Sequence, residues 1–275
     1  AKPSQQELQK YPHDLVDIIE PDENYSVARF ITDAKTFIEK AVSEKKLPIL
    51  VGGTMLYFKG LIDGLSDVPE ANLQERQKIE AEAAELGWPL LHAELAELDP
   101  VAAARIDPMH SQRICRALEI CRTTGLTMTE LLERPSTKGY TPLSESYDLR
   151  QIGLDPIDRG ELHSRINQRF ETMLDSGFIE ELQQLRARYA LNLDNASMRC
   201  VGYRQAWQYL DGDFDREELI LRGQAATRQL AKRQLTWMRK WPNLNLLPIG
   251  YSNKNLSSNT ELTQAALNCL ESELC

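Results

Sequence analysis

The sequence lacks the glycine-rich loop with which many nucleotide-binding proteins hold phosphates. The pattern Gly-x-x-x-x-Gly-Lys-Ser/Thr occurs nowhere in the 275 residues. Also missing is any apolar run of about 18 residues, the length that a membrane-spanning helix needs. No basic and then apolar stretch follows Ala1, so we expect no signal peptide. The sequence therefore predicts no membrane partner and no phosphate loop of the usual kind within these residues.

Cysteine and histidine are too few and too scattered to suggest a metal centre. The five cysteines are an odd number without a Cys-x-x-Cys pair, and the four histidines show no ligand spacing. We therefore expect neither a zinc site nor a disulfide framework, and no metal ligands are assigned. Unpaired thiols are typical of a reducing compartment, so we predict a cytoplasmic protein.

Acidic residues outnumber basic ones, but the two signs are unevenly distributed. The formal net charge of −9 on its own argues against a nucleic-acid partner. Residues 61–99 hold ten acidic and two basic residues, whereas residues 199–241 hold nine basic and five acidic. A local basic surface matters more for phosphate binding than the sum over the chain. Solvated helix faces would produce the same runs, so both interpretations stay open.

The most informative stretch is LPILVGGTMLYFKG, from Leu47 to Gly60. It predicts a buried strand over Leu47–Val51, a tight turn at Gly52-Gly53 and the start of a helix. Because glycine has no side chain, the backbone there can approach a ligand closely. Thr54 would then lie at the carboxyl end of the strand, where ligands bind in open α/β sheets. A turn without a ligand is equally compatible with two glycines.

The order of predicted elements indicates an α/β protein with an inserted helical region. A strand over Leu15–Ile19, a helix capped by Ser26 and the Leu47–Val51 strand form a β-α-β unit, which implies a parallel pair. Strand character returns at Leu149–Leu154 and again at Asn243–Ile249. Other helices are predicted at 73–86, 89–98, 111–124, from 127, and at 158–175, 178–189, 199–210 and 216–240. We predict a core of 1–67 and 149–250, a helical insertion at 68–148 and a flexible tail at 251–275.

Two short segments combine arginines with a predicted helix start. In the first, Arg113 and Arg116 are neighbours on a helix, where guanidiniums and free N–H groups favour phosphate. In the second, Tyr203 could stack on a base while Arg199 and Arg204 hold phosphates. Arginines that bridge to acids would show the same spacing. The full candidate sets are Gln112, Arg113, Ile114, Cys115 and Arg116, and Arg199, Cys200, Val201, Gly202, Tyr203 and Arg204.

Two longer helices carry cations at helical spacing. Arg228, Lys232 and Arg239 share one face of the 216–240 helix, and a long cationic face suits a sugar-phosphate backbone. Arg165 and Arg169, four residues apart, could clamp a diphosphate. Exposed structural cations would look the same, so spacing alone leaves both interpretations open.

Taken together and in order, four stretches resemble the tRNA dimethylallyltransferases, also called tRNA isopentenyltransferases. They are LPILVGGTMLYFKGL, DPMHSQRICRALEI, RCVGYRQAWQYL and ATRQLAKRQLTWMRKW, and the resemblance runs from Ala1 to about Ile249. It implies a P-loop-kinase-like parallel-sheet core with a helical insertion domain. It also implies transfer of a dimethylallyl group from its diphosphate to N6 of the adenosine 3′ of the anticodon. Mg²⁺ is expected to assist departure of the diphosphate, and a monomer is expected.

The resemblance also implies roles for particular residues. By motif, Thr54 lies beside the flipped-out adenine at the reaction centre. Arg76 in the first insertion helix, Gln112–Arg116 and Arg199–Arg204 match segments that contact tRNA. For Arg165, Arg169, Arg228 and Lys232, we expect diphosphate binding from charge and position alone.

The chain departs from the family pattern in one respect. The family begins with a strand and a phosphate loop, followed by an aspartate-bearing segment that supplies the general base, and neither is found here. We therefore expect that the 275-residue chain binds the diphosphate poorly and is inactive alone. An adenylate isopentenyltransferase acting on a free nucleotide and a noncatalytic tRNA-binding remnant are the alternatives. The cationic segments after Arg199 favour tRNA over a free nucleotide.

Overall fold

The computed structural model describes residues 5–65, 68–134, 141–250 and 259–271, which are mostly helical. Two short strands, β1 (Ile152–Pro156) and β2 (Asn245–Ile249), form a small sheet. The first helices are α1 (Gln5–Lys10), α2 (Val27–Ser43), α3 (Met55–Asp63), α4 (Leu73–Leu86), α5 (Trp88–Leu98), α6 (Pro100–Ala103) and α7 (Ser111–Thr124). The remaining helices are α8 (Met128–Glu133), α9 (Leu143–Ser146), α10 (Arg159–Asp175), α11 (Phe178–Arg188), α12 (Tyr203–Leu210), α13 (Arg216–Arg239) and α14 (Asn259–Glu271).

The chain divides into two compact units. Unit 1 comprises Ala1–Phe58 and Asp148–Cys275, and unit 2 comprises Lys59–Tyr147. The predicted domain boundaries at 67/68 and 148/149 stay a prediction. Within the predicted tail, 251–258 lies outside the described residues, and α14 lies against β2.

The sheet of unit 1 is parallel, with Ile152 opposite Asn245 and Pro156 opposite Ile249. Both strands begin two or three residues later than predicted, and α10 to α13 lie between them in sequence. A parallel pair with intervening helices is consistent with the α/β prediction in its coarse form. The larger P-loop-kinase-like core stays a prediction.

Two predicted strands are wrong, and with them the N-terminal β-α-β unit. Leu15 and Asp17 have φ values of 64° and 55°, a left-handed conformation that no strand accommodates. Leu47–Val51 is irregular, and Leu47, Ile49 and Val51 are 71%, 76% and 84% exposed. A strand needs a neighbour for its backbone hydrogen bonds, and β1 and β2, the strands of the described residues, pair with each other. An apolar run with β-branched residues was therefore not enough to form a strand at Leu47–Val51.

The predicted helices agree with the structure more closely than the predicted strands, because capping residues mark the start of a helix within the segment itself. Ser26 caps α2, and Asp158 caps α10 by accepting hydrogen bonds from the N–H groups of Gly160 and Glu161. Thr127 forms the predicted capping box with Glu130. The helix predicted from residue 199 begins instead at Tyr203, after a turn.

Helices α10 to α13 enclose the core of unit 1. Gly223 of α13 lies directly against the ring of Phe170 in α10, where a Cβ atom would overlap the ring. A glycine is thus required for this close approach of the two helices. The buried members of this core are Phe170, Leu174, Phe178, Leu182, Met198, Ala206, Trp207 and Leu219.

Unit 2 is built around α4, α5 and α7, which pack on one another. Its core residues recur at three- and four-residue spacing, as in Ile79 and Ala83 of α4 and Leu91 and Leu95 of α5. Within the described residues of the whole chain, no helix combines the length and apolar character that crossing a bilayer requires.

We expect Gly223→Ala to lower the free energy of unfolding by about 1–3 kcal/mol, because an added methyl overpacks the contact with Phe170. Urea denaturation measures this. Gly160→Ala is the matched control, since its Cβ would meet only the Asp158 carboxylate at 3.2 Å. A helix interior otherwise prefers alanine to glycine, so an unchanged or higher stability for Gly223→Ala would contradict the close packing.

Candidate functional site

The Gly52–Thr54 turn directly precedes α3, as predicted. The carbonyl of Thr54 accepts hydrogen bonds from the N–H groups of Tyr57 (2.9 Å) and Phe58 (3.4 Å), which begin the helix. Thr54 is exposed, so its hydroxyl is accessible to a ligand. On the other side of the turn, Nε2 of Gln234 in α13 donates to the carbonyl of Gly53 at 3.0 Å. Two helices therefore fix the turn.

An aromatic cluster holds α3 against α2. The rings of Phe30 and Tyr57 stack with centroids 4.8 Å apart. The Tyr57 hydroxyl donates to the carbonyl of Tyr25 at 2.8 Å. Burial raises the pKa of Tyr57, and the nearby Cys200 thiol raises it further. The contacts between α2 and α3 therefore support the start of α3, where the Gly52–Thr54 turn lies.

Within the Arg199–Arg204 segment, the structure separates surface residues from packing residues. Arg199, Cys200 and Arg204 are exposed, Val201 is half-buried and Gly202 is the buried N-cap of α12. The two arginines are thus available to phosphates.

Tyr203 is not a free stacking platform in this structure. Its ring packs edge-to-face on Phe178 with centroids 4.9 Å apart, and its hydroxyl donates to Glu181. Burial, followed by the Glu181 carboxylate, raises the pKa of Tyr203. The side chain therefore contributes to the margin of the unit 1 core, and base stacking by Tyr203 would require this packing to change.

A cationic groove lies between α10 and α13 and encloses about 330 Å³. Its charged or titratable lining residues are Arg159, His163, Arg228, Lys232 and Arg239. We call it the α10–α13 groove. The three cations predicted to share one face of α13 do line the same groove.

The groove differs from the prediction in which residues of α10 contribute. Arg165 and Arg169 are exposed on α10 but do not line the groove, whereas Arg159 and His163 do. Residues 159 and 163 are also four apart, so their spacing was an available signal that sequence reasoning missed. Arg228 donates from Nη1 to Oδ1 of Asn167 at 2.7 Å, which holds its guanidinium at the helix interface.

In unit 2, two predicted RNA-contacting arginines are bound to a buried carboxylate. Arg76 and Arg116 contact opposite oxygens of Glu119 at 2.7 and 2.6 Å. The Glu119 side chain is 1% exposed, and Oε1 also accepts from the Asn72 N–H at 2.6 Å. Burial by itself raises the pKa of Glu119, but hydrogen bonds from Arg76, Asn72 and Arg116 outweigh it and hold the pKa below its ordinary value. These arginines therefore have a structural role.

The remaining members of the 112–116 set are either buried in the core of unit 2 or exposed on its surface. Ile114 is fully buried and Cys115 is 5% exposed in the core of unit 2, where burial raises the pKa of the Cys115 thiol. Their side chains are not accessible to RNA, so only the backbone of these residues could contact it, and the assignment stays a prediction. Gln112 and Arg113 are exposed on the outer face of α7.

The described residues do not form a dedicated metal site. In that part of the chain, no group of three or more His, Cys, Asp or Glu side chains is arranged to hold a metal ion. Mg²⁺ binds through one or two carboxylates together with substrate phosphates in many enzymes. Within the described residues the predicted Mg²⁺ therefore has no ready-made protein cage, and its role stays a prediction.

The fold resembles that of solved prenyltransferases. The full-length tRNA isopentenylpyrophosphate transferase from Bacillus halodurans is 33% identical, with a TM-score of 0.64 and coverage of 98% of this chain and 82% of that chain. A tRNA Δ(2)-isopentenylpyrophosphate transferase from Staphylococcus epidermidis is 26% identical, with a TM-score of 0.61 and coverages of 98% and 84%. A eukaryotic dimethylallyltransferase acting on tRNA shares the fold at 24% identity, with a TM-score of 0.71 and coverages of 98% and 68%.

These similarities define a class, the fold of the tRNA prenyltransferases. The family model described as IPP transferase matches residues 1–241. The chain belongs to the IPP transferase family, and the family predicted from the four motifs is confirmed.

Because Arg113 is exposed and Arg116 is bound to Glu119, replacing each of them should change a different property of the protein. Arg116→Ala should lower the free energy of unfolding by about 1–2 kcal/mol, because buried Glu119 loses a charge-assisted hydrogen bond. Arg113→Ala should leave stability unchanged and weaken binding of an anticodon stem-loop severalfold, because an exposed guanidinium is lost. Thermal unfolding and fluorescence anisotropy measure the two effects. Equal loss of RNA affinity without destabilisation would refute the structural role of Arg116.

Proposed function

We propose that this protein transfers a dimethylallyl group from dimethylallyl diphosphate to N6 of the adenosine 3′ of the anticodon in tRNA. The observation that carries the proposal is the combination, within unit 1, of an exposed threonine turn with surface arginines and a cationic groove. Membership of the IPP transferase family and the printed names of similar structures support the same reaction.

In this reaction, N6 attacks C1 of the dimethylallyl group. A C–N bond forms while the C–O bond to the diphosphate breaks, and N6 loses a proton to a carboxylate base, which the family pattern places in the aspartate-bearing segment not found in these residues. The chain's own contribution is to hold an extruded adenine in line and to exclude water around it. We assign Thr54 to the adenine, because it is exposed on a turn that Gln234 and α3 hold from two sides.

The α10–α13 groove suits RNA backbone phosphates better than the reacting diphosphate. Each residue of a helix is rotated by about 100° from the one before, so the side chains of Lys232 and Gln234 project from opposite sides of α13. Gln234 contacts the Gly52–Thr54 turn, and Lys232 lines the groove. A phosphate in the groove would thus lie roughly a helix diameter, 10 Å, from the turn. We therefore propose that Arg228 and Lys232 bind RNA, and diphosphate binding by Arg165 and Arg169 stays a prediction.

A noncatalytic tRNA-binding role is the second candidate. The exposed Arg199 and Arg204 and the α10–α13 groove would serve RNA binding without a catalytic step. An adenylate isopentenyltransferase is less well supported, because a free nucleotide makes no use of a groove so far from the turn. A cytoplasmic location, a monomeric state and Mg²⁺ dependence belong to the proposal as well.

A prenyl-transfer assay with an anticodon stem-loop tests the proposal. We expect little turnover from the 275-residue chain and turnover from a form that carries the phosphate-loop and aspartate-bearing segments ahead of Ala1. In the active form, Thr54→Ala should lower kcat about tenfold while RNA affinity changes less than twofold, because the lost contact acts on the reacting base.

Each result of this assay has a separate meaning. Turnover by the 275-residue chain alone would refute the need for the added segments and support the transferase. No turnover by either form, with RNA binding intact, would refute the transferase and favour the noncatalytic role. Full activity of Thr54→Ala would refute the assignment of Thr54 to the adenine.

The salt dependence of RNA binding tests the groove. Lys232→Ala should weaken binding and reduce the slope of log K against log salt by about 1, because one phosphate contact is lost. Arg233→Ala is the control, since this exposed cation lies on the same helix but does not line the groove. Equal changes in slope for both variants would contradict a specific phosphate-binding role of the groove.

A further inference from the structure

The side chain of Gln234 links the middle of α13 to the Gly52–Thr54 turn. Its Nε2 donates to the Gly53 carbonyl at 3.0 Å, across 181 residues of sequence. We propose that Gln234 is a positioning residue that fixes this turn and thereby sets how strictly the site selects adenosine. The inference rests on the proposed function only for the identity of the base.

The turn needs such a support because the chain before it is irregular. Val51 is 84% exposed, and Leu47–Val51 belongs to no strand of the described residues. Among hydrogen bonds between described residues, the bond from Gln234 is the one that joins the 47–53 stretch to another element. Without it, the Gly53 carbonyl would be held only through its own chain neighbours.

Gln234 is well suited to this role because its own position is restrained. It lies within the 24-residue helix α13 and is half-buried. The same helix packs closely on α10 through Gly223 and Phe170. A hydrogen bond from a rigid helix restricts the turn more than a bond from a loop would.

Gly53 and Gln234 fit each other specifically. A Cβ atom at residue 53 would overlap the Gln234 amide. Glutamine supplies the N–H donor that the Gly53 carbonyl requires, whereas a glutamate of the same size cannot donate and would be repelled. The glycine therefore leaves room for the amide that holds the turn.

A displaced turn would displace Thr54, the next residue. Catalytic and binding geometry is sensitive to shifts of about 1 Å. Loss of the Gln234 bond should therefore relax the distinction between adenosine and another purine while leaving phosphate contacts in the α10–α13 groove unaffected.

The experiment compares Gln234→Glu with Gln184→Glu in the 275-residue protein. Gln184 is exposed on α11, so the control carries the same change in charge without touching the turn. One readout is hydrogen exchange of the Tyr57 and Phe58 amides, which bond to the Thr54 carbonyl. The other is the ratio of affinities for anticodon stem-loops that carry adenosine or inosine at the acceptor position.

We expect Gln234→Glu to accelerate this exchange about fivefold and to reduce the adenosine preference by a similar factor, which is the effect of one lost hydrogen bond. Gln184→Glu should match the wild type in both. In Gly53→Ala the added methyl displaces the Gln234 amide, so this variant should show the same two effects. It replaces Gln234→Glu in the experiment if that variant fails to fold.

Unchanged exchange in Gln234→Glu, or in Gly53→Ala where that variant is used, would overturn the proposal. Faster exchange with an unchanged adenosine preference would overturn the positioning role and leave a purely structural contact. A wild type without any adenosine preference would count against the proposed function and against the selectivity part of this inference. The exchange readout would still decide whether Gln234 holds the turn.

Discussion

The close packing of α13 on α10 at Gly223 and Phe170 is the contact on which the candidate site of unit 1 depends. It brings cations of both helices to one groove, and it restrains the helix from which Gln234 reaches the Gly52–Thr54 turn. One helix of about 36 Å thus carries a phosphate-binding face and, on its opposite side, the support for a turn. A change in this packing would alter both features together.

A buried carboxylate plays the corresponding part in unit 2. Glu119 is 1% exposed and accepts hydrogen bonds from two guanidiniums and a backbone N–H. A buried charge is tolerated only when it is paired in this way, so Arg76 and Arg116 are committed to it. Arg113, three residues from Arg116 on the same helix, remains on the surface. Two arginines of one motif therefore have different physical roles.

Much of the helical structure could be predicted because its signals are local. Ser26, Asp158 and Thr127 mark helix starts by satisfying N–H groups within three residues. The strand predicted at Leu47–Val51 was wrong because a strand is stable only beside a partner, and partners are not encoded in the segment itself. Among the site residues, the shared face of Arg228 and Lys232 followed from helical spacing. Arg159 and His163 have the same spacing as Arg165 and Arg169, and only the packing of α10 on α13 decides which pair lines the groove.

The sequence by itself determined the family, the starts of the helices with a side-chain cap and the cationic face of α13, since motif order, caps and the 3.6-residue period are all properties of short segments. Only the tertiary structure decided which arginine is bound to Glu119, which way Tyr203 packs, and that Gln234 meets Gly53. The contacts of Arg76 with Glu119, Tyr203 with Phe178 and Gln234 with Gly53 join residues that are distant in sequence. They depend on where the helices pack, which no local pattern specifies. Whether a polar side chain is free to bind a ligand follows from its burial and its partners.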